Sequence, residues 1–415
     1  MRERLLSGLG VLVLLGLAFA FCPRERRASV QRRTILGGLG LLAALGVLLL
    51  DTPLVRGFGV ASAAVERLLG FTREGARFVF GPLAESNGSF GYVFAFQVLP
   101  TILFFSALMS VLYHLRILPW VIERGGRMLS KLLGVSGAES FSTVADVFVG
   151  QAEAPLAVRP YVAKMTLSEL NACMVAGFAT TAGGVLAAYV AMLSGSVPGI
   201  AGHLLASSVM SAPASLVIAK LMLPESERPE TTGELTAQRP HASANLLDAL
   251  VRGTLDGVRL AVNVAAMLIV FLAFTALFDA LLASLGQLLG LELNLTRVLS
   301  WLFAPLAFLL GVPHADVGKV ATLLGQKTVF NEFVAYSHLS EMLKADPSWL
   351  SPRGRLIASY ALCGFANFGS IGIQIAGYSS LAPERLGDLS RLGLRAMVGG
   401  LLTTCLVACV AGVLA

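Results

Sequence analysis

Apolar positions in this chain are gathered into long runs, with most charged residues confined to the stretches between them. The runs cover residues 5–22, 35–50, 92–113, 166–194, 198–222, 258–285, 354–378 and 396–415. Crossing a hydrocarbon layer takes about 20 apolar residues in a helix, so each run predicts a span. Two further apolar stretches are interrupted at mid-length. Residues 138–162 place Gly150 to Pro155 between two arms of about ten residues, half of what a span needs, and predict a re-entrant helical hairpin. Residues 316–345 carry Asn331, Glu332 and Phe333 in mid-stretch and predict a second hairpin. Residues 54–82, with Arg56, Glu66, Arg67, Arg73, Glu74 and Arg77, and residues 117–133, with Arg124, Arg127 and Lys131, predict interfacial segments. A shorter segment covers 298–312. The pattern predicts an all-α polytopic membrane protein with eight transmembrane helices plus two re-entrant helical hairpins.

The second half of the chain repeats the order of the first. In each half a glutamate sits in a hairpin and is followed by a span interrupted by Gly, Ser, Thr or Asn. Glu153 precedes Thr180 by 27 residues, and Glu332 precedes Asn367 by 35. Corresponding interrupted segments in two halves predict inverted repeats with a solute site between them. Residues 224–249 separate the halves and have the composition of a flexible linker. Arg24, Arg26, Arg27, Arg32 and Arg33 follow the first run, and the positive-inside rule therefore puts 24–33 in the cytoplasm. That choice leaves the N- and C-termini outside and the linker at 224–250 cytoplasmic, in a multi-pass protein of the cell (inner) membrane. The first hairpin then enters from the cytoplasm and the second from outside. A cleaved signal peptide is the competing reading of 5–22; the basic flank follows the run instead of preceding it, which argues against that reading.

Composition sharpens the class. Of 415 residues 56% are hydrophobic and only 13% charged, and the mean hydropathy is +0.77, whereas soluble domains carry about a quarter charged residues. The net charge of +6 fits cytoplasmic loops, and no basic cluster interleaved with aromatics suggests nucleic acid. The five cysteines, Cys22, Cys173, Cys363, Cys405 and Cys409, form neither a disulfide framework nor a zinc spacing, and no structural metal is expected.

Carboxylates at membrane depth are the chemical signal. Burying one costs from ~3 to more than ~10 kcal/mol, so Asp146, Glu153 and Glu332 call for a function or a partner. Singly, each has a structural alternative: a paired carboxylate for the glutamates, a helix cap for Asp146, and back-bonding along the helix for Thr180 and Thr181. Two glutamates at matching places in two halves favour a solute site.

Three separated motifs then name a family. Gly150-Gln151-Ala152-Glu153-Ala154-Pro155-Leu156 with Lys164-Met165-Thr166-Leu167-Ser168-Glu169-Leu170, Asn331-Glu332-Phe333-Val334-Ala335-Tyr336, and Ala361-Leu362-Cys363-Gly364-Phe365-Ala366-Asn367 resemble the concentrative nucleoside transporters, and the likeness runs from about residue 5 to the C-terminus. The resemblance implies the bacterial eight-span form, a homotrimer whose protomers each move a transport domain against a scaffold in an elevator-like step. It divides the chain into N-terminal scaffold helices (1–115), a first repeat with hairpin 1 and an interrupted helix (116–223), and the linker (224–250). A scaffold helix with an interfacial segment (251–312) and a second repeat ending in the last span (313–415) complete it. The substrate implied is a nucleoside, carried with a cation, H+ or Na+, and no other cofactor. Gln151 and Glu153 match the nucleobase-binding residues and Val185 an apolar base contact. Glu332, Asn367 and Ser370 match the ribose-binding set, with Phe365 beside it. The chemistry agrees, because vicinal hydroxyls suit a carboxylate and an amide, and an amide complements a base edge.

The chain departs from the family pattern in three places. Ala152 stands where most relatives have threonine, and the lost hydroxyl is worth about 0.5–1.5 kcal/mol of one hydrogen bond. Gly369 often carries a hydroxyl in relatives. Asp146 stands where sodium-coupled relatives have asparagine, in a site that also uses the Val149 carbonyl, Thr180 and Thr181. A carboxylate there either binds sodium more strongly, as a hard cation favours oxygen ligands, or cycles a proton in its place. Within transporters, the alternative is a proton-coupled carrier of a modified nucleoside or nucleobase. An intramembrane enzyme lacks a nucleophile–base pair or metal cluster, and a pure channel suits two short hairpins poorly.

Overall fold

A computed structural model of the protein describes residues 1–50, 55–85, 93–231, 243–289 and 293–415, all helix and connecting segments. The first third comprises α1 (Arg2–Ala20), α2 (Arg32–Leu50), α3 (Val55–Phe80), α4 (Phe94–Gln97), α5 (Leu99–His114) and α6 (Ile117–Leu133). The chain continues through α7 (Gly137–Phe148), α8 (Ala154–Ala157), α9 (Leu167–Ala179), α10 (Gly183–Leu193) and α11 (Ile200–Met222). The second half holds α12 (Leu246–Leu289), α13 (Leu295–Leu309), α14 (Val317–Val329), α15 (Glu332–Ala345), α16 (Pro352–Leu362), α17 (Phe368–Ser379) and α18 (Leu386–Leu414).

Residues 117–133 form a single amphipathic helix, α6. Leu118, Ile122, Gly126, Leu129 and Leu133 recur at helical spacing on its buried face, while Trp120, Arg124, Arg127 and Lys131 lie away from it. Among the described residues seven helical stretches are long and apolar enough to cross a membrane, against the eight expected. The difference is 354–378, which is split into α16 and α17. The first hairpin also differs from expectation. Its leading arm is the 12-residue α7, but its return arm is the single turn α8 followed by a 3-10 stretch, Arg159–Lys164. Pro155 and Pro160 each remove a backbone donor from that arm, which prevents a ten-residue helix. The second hairpin has two full arms, α14 and α15, as expected.

The linker is shorter and better anchored than its composition suggests. Helix α12 already begins at Leu246, and 232–242 lie outside the described residues. The leading part packs against the base of hairpin 1: Gly137 N donates to Thr231 O (2.9 Å) and Ala138 N to Thr231 Oγ1 (3.2 Å). Beside it, buried Lys220 ends α11 against Glu139 (2.6 Å) and Glu225 (3.7 Å) and donates to Ser168 Oγ (2.9 Å). Ser136–Glu139 and Thr166–Glu169 are capping boxes, so the starts of α7 and α9 are fixed by their own sequence and by this shared cation.

Helices α9, α10 and α11 are almost wholly buried, whereas α12 is mostly exposed. Small residues let the inner helices approach: Gly399 and Gly400 of α18 lie against Val175 and Phe178 of α9. The first interrupted helix, α9–α10, therefore occupies the centre of the protein, and α12 runs along its edge.

Candidate functional site

The two helix breaks face each other. Thr180 (φ −110°, ψ 164°) and Ala182 (φ −57°, ψ 141°) are extended between α9 and α10, where two β-branched threonines followed by Gly183 and Gly184 make poor helix. The second break runs from Cys363 to Asn367. Gly364 there has φ +117°, and a Cβ would lie 2.8 Å from Ala179 O, so this close crossing admits only glycine. Thr181 Oγ1 and Cys363 Sγ, 3.3 Å apart, join the two breaks.

Each hairpin brings its tip to this junction. Helix α7 ends at Phe148 with Val149 as its C-cap, and Gly150 turns the chain with φ +85°; a Cβ on it would lie 2.5 Å from Ala182 Cβ, so the tip of hairpin 1 docks on the first break. Beyond the turn, buried Gln151 donates from Nε2 to Ser370 Oγ (3.2 Å) on α17. In hairpin 2, Asn331 caps α15 by accepting from Val334 N (2.9 Å), and Glu332 follows, 3% exposed. Its carboxylate accepts from Asn367 Nδ2 (3.1 Å) and from Tyr189 OH (2.9 Å). Asn367 also caps α17, its Oδ1 accepting from Ser370 N (2.8 Å).

Among the described residues, the buried oxygens with no hydrogen-bond partner include Gln151 Oε1, Asp146 Oδ2 and Gln374 Oε1. An unpaired buried polar atom costs about 1–3 kcal/mol, so such atoms mark places where a bound solute or ion can supply the missing partner.

The expected residues are gathered unevenly. Glu332, Asn367, Ser370 and Gln151 form one bonded chain, with Phe365 buried in the second break and Val185 buried at the start of α10. Glu153 is exposed at the hairpin tip, and its carboxylate makes no hydrogen bond among the described residues. Asp146 is 1% exposed in the last turn of α7 and caps no helix. Thr180 donates back to Ala176 O (2.9 Å) along its own helix, and Thr181 faces Cys363 and Ser208. Val149 and Ala182 adjoin through Gly150, but no hydrogen bond links Asp146 to either threonine.

Three residues at the junction escaped the sequence reading. Tyr189 lies within an apolar helix where an aromatic passes for core; its signal is the four-residue spacing from Val185. Gln374 donates to Met174 O (3.0 Å) and is a buried amide inside an apolar run. Lys327, wholly buried, donates to Ala361 O (2.8 Å) and Thr404 Oγ1 (2.9 Å), and a cation at membrane depth was the signal for it.

Paired hairpins and broken helices that meet in a buried polar junction are features of a multi-pass membrane transporter. Comparison with known proteins narrows the class. Residues 203–412 match the family described as Na+ dependent nucleoside transporter C-terminus, residues 9–83 its N-terminus, and residues 95–196 a nucleoside recognition (Gate) family. The chain is 40% identical to an uncharacterized transporter of Haemophilus influenzae, covering 98% of this chain and 96% of that one. It is also 40% identical to solute carrier family 28 member 3 of Mus musculus over 100% of its own length, and spans 59% of that relative's. The structure of CNTnw in an inward-facing substrate-bound state superposes with a TM-score of 0.92 at 41% identity, covering 99% of this chain and 98% of that one. The chain therefore belongs to the concentrative nucleoside transporter family, whose members are transporters and not enzymes.

Proposed function

We propose that the protein is a cation-coupled nucleoside symporter that imports nucleosides across the cytoplasmic membrane by elevator-type alternating access. The observation that carries the reading is the bonded chain Glu332–Asn367–Ser370–Gln151 at the meeting of the two breaks. A ribose offers vicinal hydroxyls to the Glu332 carboxylate, and charge-assisted hydrogen bonds are the stronger kind. Gln151, with its unpaired Oε1, meets the edge of the base, and Glu153 at the same tip closes over it. Val185 and Phe365 supply the apolar walls.

Asp146 is the seat of coupling in this reading. A buried carboxylate oxygen without a donor is stable only when a cation or a proton neutralises it, so Na+ or H+ binds there with the Val149 carbonyl, Thr180 and Thr181 nearby. The hairpins and broken helices move as the transport domain against a scaffold that includes the exposed α12, in a homotrimer of eight-span protomers with both termini outside. A second reading, a proton-coupled carrier of a modified nucleoside or free base, is favoured by Ala152, which removes one donor from the base subsite.

Uptake of labelled uridine and adenosine into proteoliposomes, with sodium and pH gradients imposed separately, tests both readings. Accumulation under one gradient, lost in Glu332→Gln and with an altered cation requirement in Asp146→Asn, is expected. Absence of nucleoside uptake under either gradient refutes the first reading, and uptake of a free base in its place supports the second.

A further inference from the structure

We propose that Tyr189 is a positioning residue for Glu332, so that the first repeat sets the sugar selectivity of a carboxylate carried by the second. The inference rests on the reading of Glu332 as the ribose-binding group. Tyr189 is fully buried on α10, and its hydroxyl donates to Glu332 Oε1 at 2.9 Å. The ring has little freedom to move. It packs edge-on against Phe333, with centroids 4.9 Å apart, and lies 4.4 Å from the Tyr336 ring. Tyr336 is itself tied by its hydroxyl to Ser359 O (2.9 Å) on α16. A phenol packed against two rings offers its proton toward the one carboxylate it bonds.

That direction matters for the carboxylate. Two oxygens provide about four acceptor positions, and Tyr189 on Oε1 and Asn367 on Oε2 occupy one each. Two positions remain, as many as a vicinal diol has donors. The terminal torsion of a glutamate is broad and nearly two-fold, so the side chain alone does not fix which way those positions point. Tyr189 and Asn367, donating from opposite repeats, fix it. The register follows from α10: Val185 and Tyr189 are one helical turn apart on one face, about 6 Å along the axis. A single half-helix therefore spaces the apolar wall beside the base from the anchor of the sugar-binding carboxylate.

The test compares uridine with 2′-deoxyuridine and 3′-deoxyuridine in proteoliposomes of full-length wild type, Y189F, Y189H and Y336F, reading KM and maximal rate for each solute. In Y189F the KM for uridine rises about tenfold, the KM for the deoxy analogues changes little, and the maximal rate holds, so the uridine preference collapses. Y189H, which retains a ring donor, recovers part of the preference. Y336F, which loses the Ser359 contact but not the Glu332 donor, keeps it. A preference that survives in Y189F, or a KM raised equally for all three nucleosides, overturns the inference and leaves Tyr189 a packing residue. A wild type that takes up uridine and its deoxy analogues alike overturns the ribose reading of Glu332 and this inference with it.

Discussion

Asn367 performs two tasks with one side chain, and a substitution separates them. Its Oδ1 caps α17 by accepting from Ser370 N at 2.8 Å, and its Nδ2 donates to Glu332 Oε2 at 3.1 Å. Serine is as good an N-cap as asparagine, so Asn367→Ser keeps the helix start, with a stability change below about 0.5 kcal/mol from the cap itself. It removes the donor to Glu332. A hydrogen bond to a charged group is worth about 1.5–3 kcal/mol, and since the bond exists before a solute arrives, the lower figure applies to binding, about tenfold in Kd. Asn367→Asp also caps, but sets a second carboxylate beside Glu332, and binding is then lost in the ionised state. Calorimetric titration of uridine into detergent-purified protein, alongside thermal unfolding of the same samples, checks both. Wild-type affinity in Asn367→Ser refutes the claim that Asn367 organises the carboxylate. So does a fall in melting temperature with no change in Kd, since that reduces Asn367 to a helix cap.

The remaining predictions concern the frame around the site. Lys220→Met leaves Glu139 and Glu225 without their shared cation and lowers stability by about 3–5 kcal/mol, with Glu139→Gln in the same chain recovering part; unchanged unfolding refutes it. Gly150→Ala forces a side chain into a left-handed conformation, about 1–2 kcal/mol, and onto Ala182, so both melting temperature and uptake fall. Lys327→Met orphans the Ala361 carbonyl and lowers the melting temperature by the equivalent of about 1–3 kcal/mol, read by the same thermal scan.

Much of this arrangement is legible in the sequence because the bilayer imposes long, uniform rules. The amphipathic helix at 117–133 and the second hairpin follow from charge placement and from Asn331-Glu332 at the centre of an apolar run. The return arm of the first hairpin was overestimated because hydropathy counts Pro155 and Pro160 as apolar spacers, whereas the backbone registers two missing donors. The linker looked solvated because composition cannot show that Thr231 bonds the first turn of α7. Tyr189 and Gln374 were hidden for another reason: their meaning lies in partners more than 140 residues distant, Glu332 and Met174 respectively, and a single chain carries no trace of that pairing. Lys327 shows in the sequence only as a cation inside an apolar stretch, and its partners, Ala361 and Thr404, are set by the fold.

The placement of Lys327 bears on how Glu332 persists as a buried anion. Lys327 donates to Ala361 O and Thr404 Oγ1, not to Glu332, although both stand on hairpin 2. Ala361 is in the last turn of α16, where the helix dipole is negative, so the cation sits where the backbone favours it. Glu332 occupies the first position of α15 and accepts from the N-cap residue of α17, so two helix N-termini, both positive ends, meet at one carboxylate. Each such end stabilises an anion by about 0.3–1 kcal/mol when exposed and up to ~2 kcal/mol when partly buried. The breaks in the helices are therefore not merely tolerated irregularities. Interrupting α16–α17 creates a negative end for Lys327 and a positive end for Glu332 within one loop, and an unbroken helix could serve neither. A direct Lys327–Glu332 pair would neutralise the carboxylate and occupy its acceptor positions. Keeping the two apart leaves Glu332 charged, anchored by neutral donors, and open to the hydroxyls of a solute.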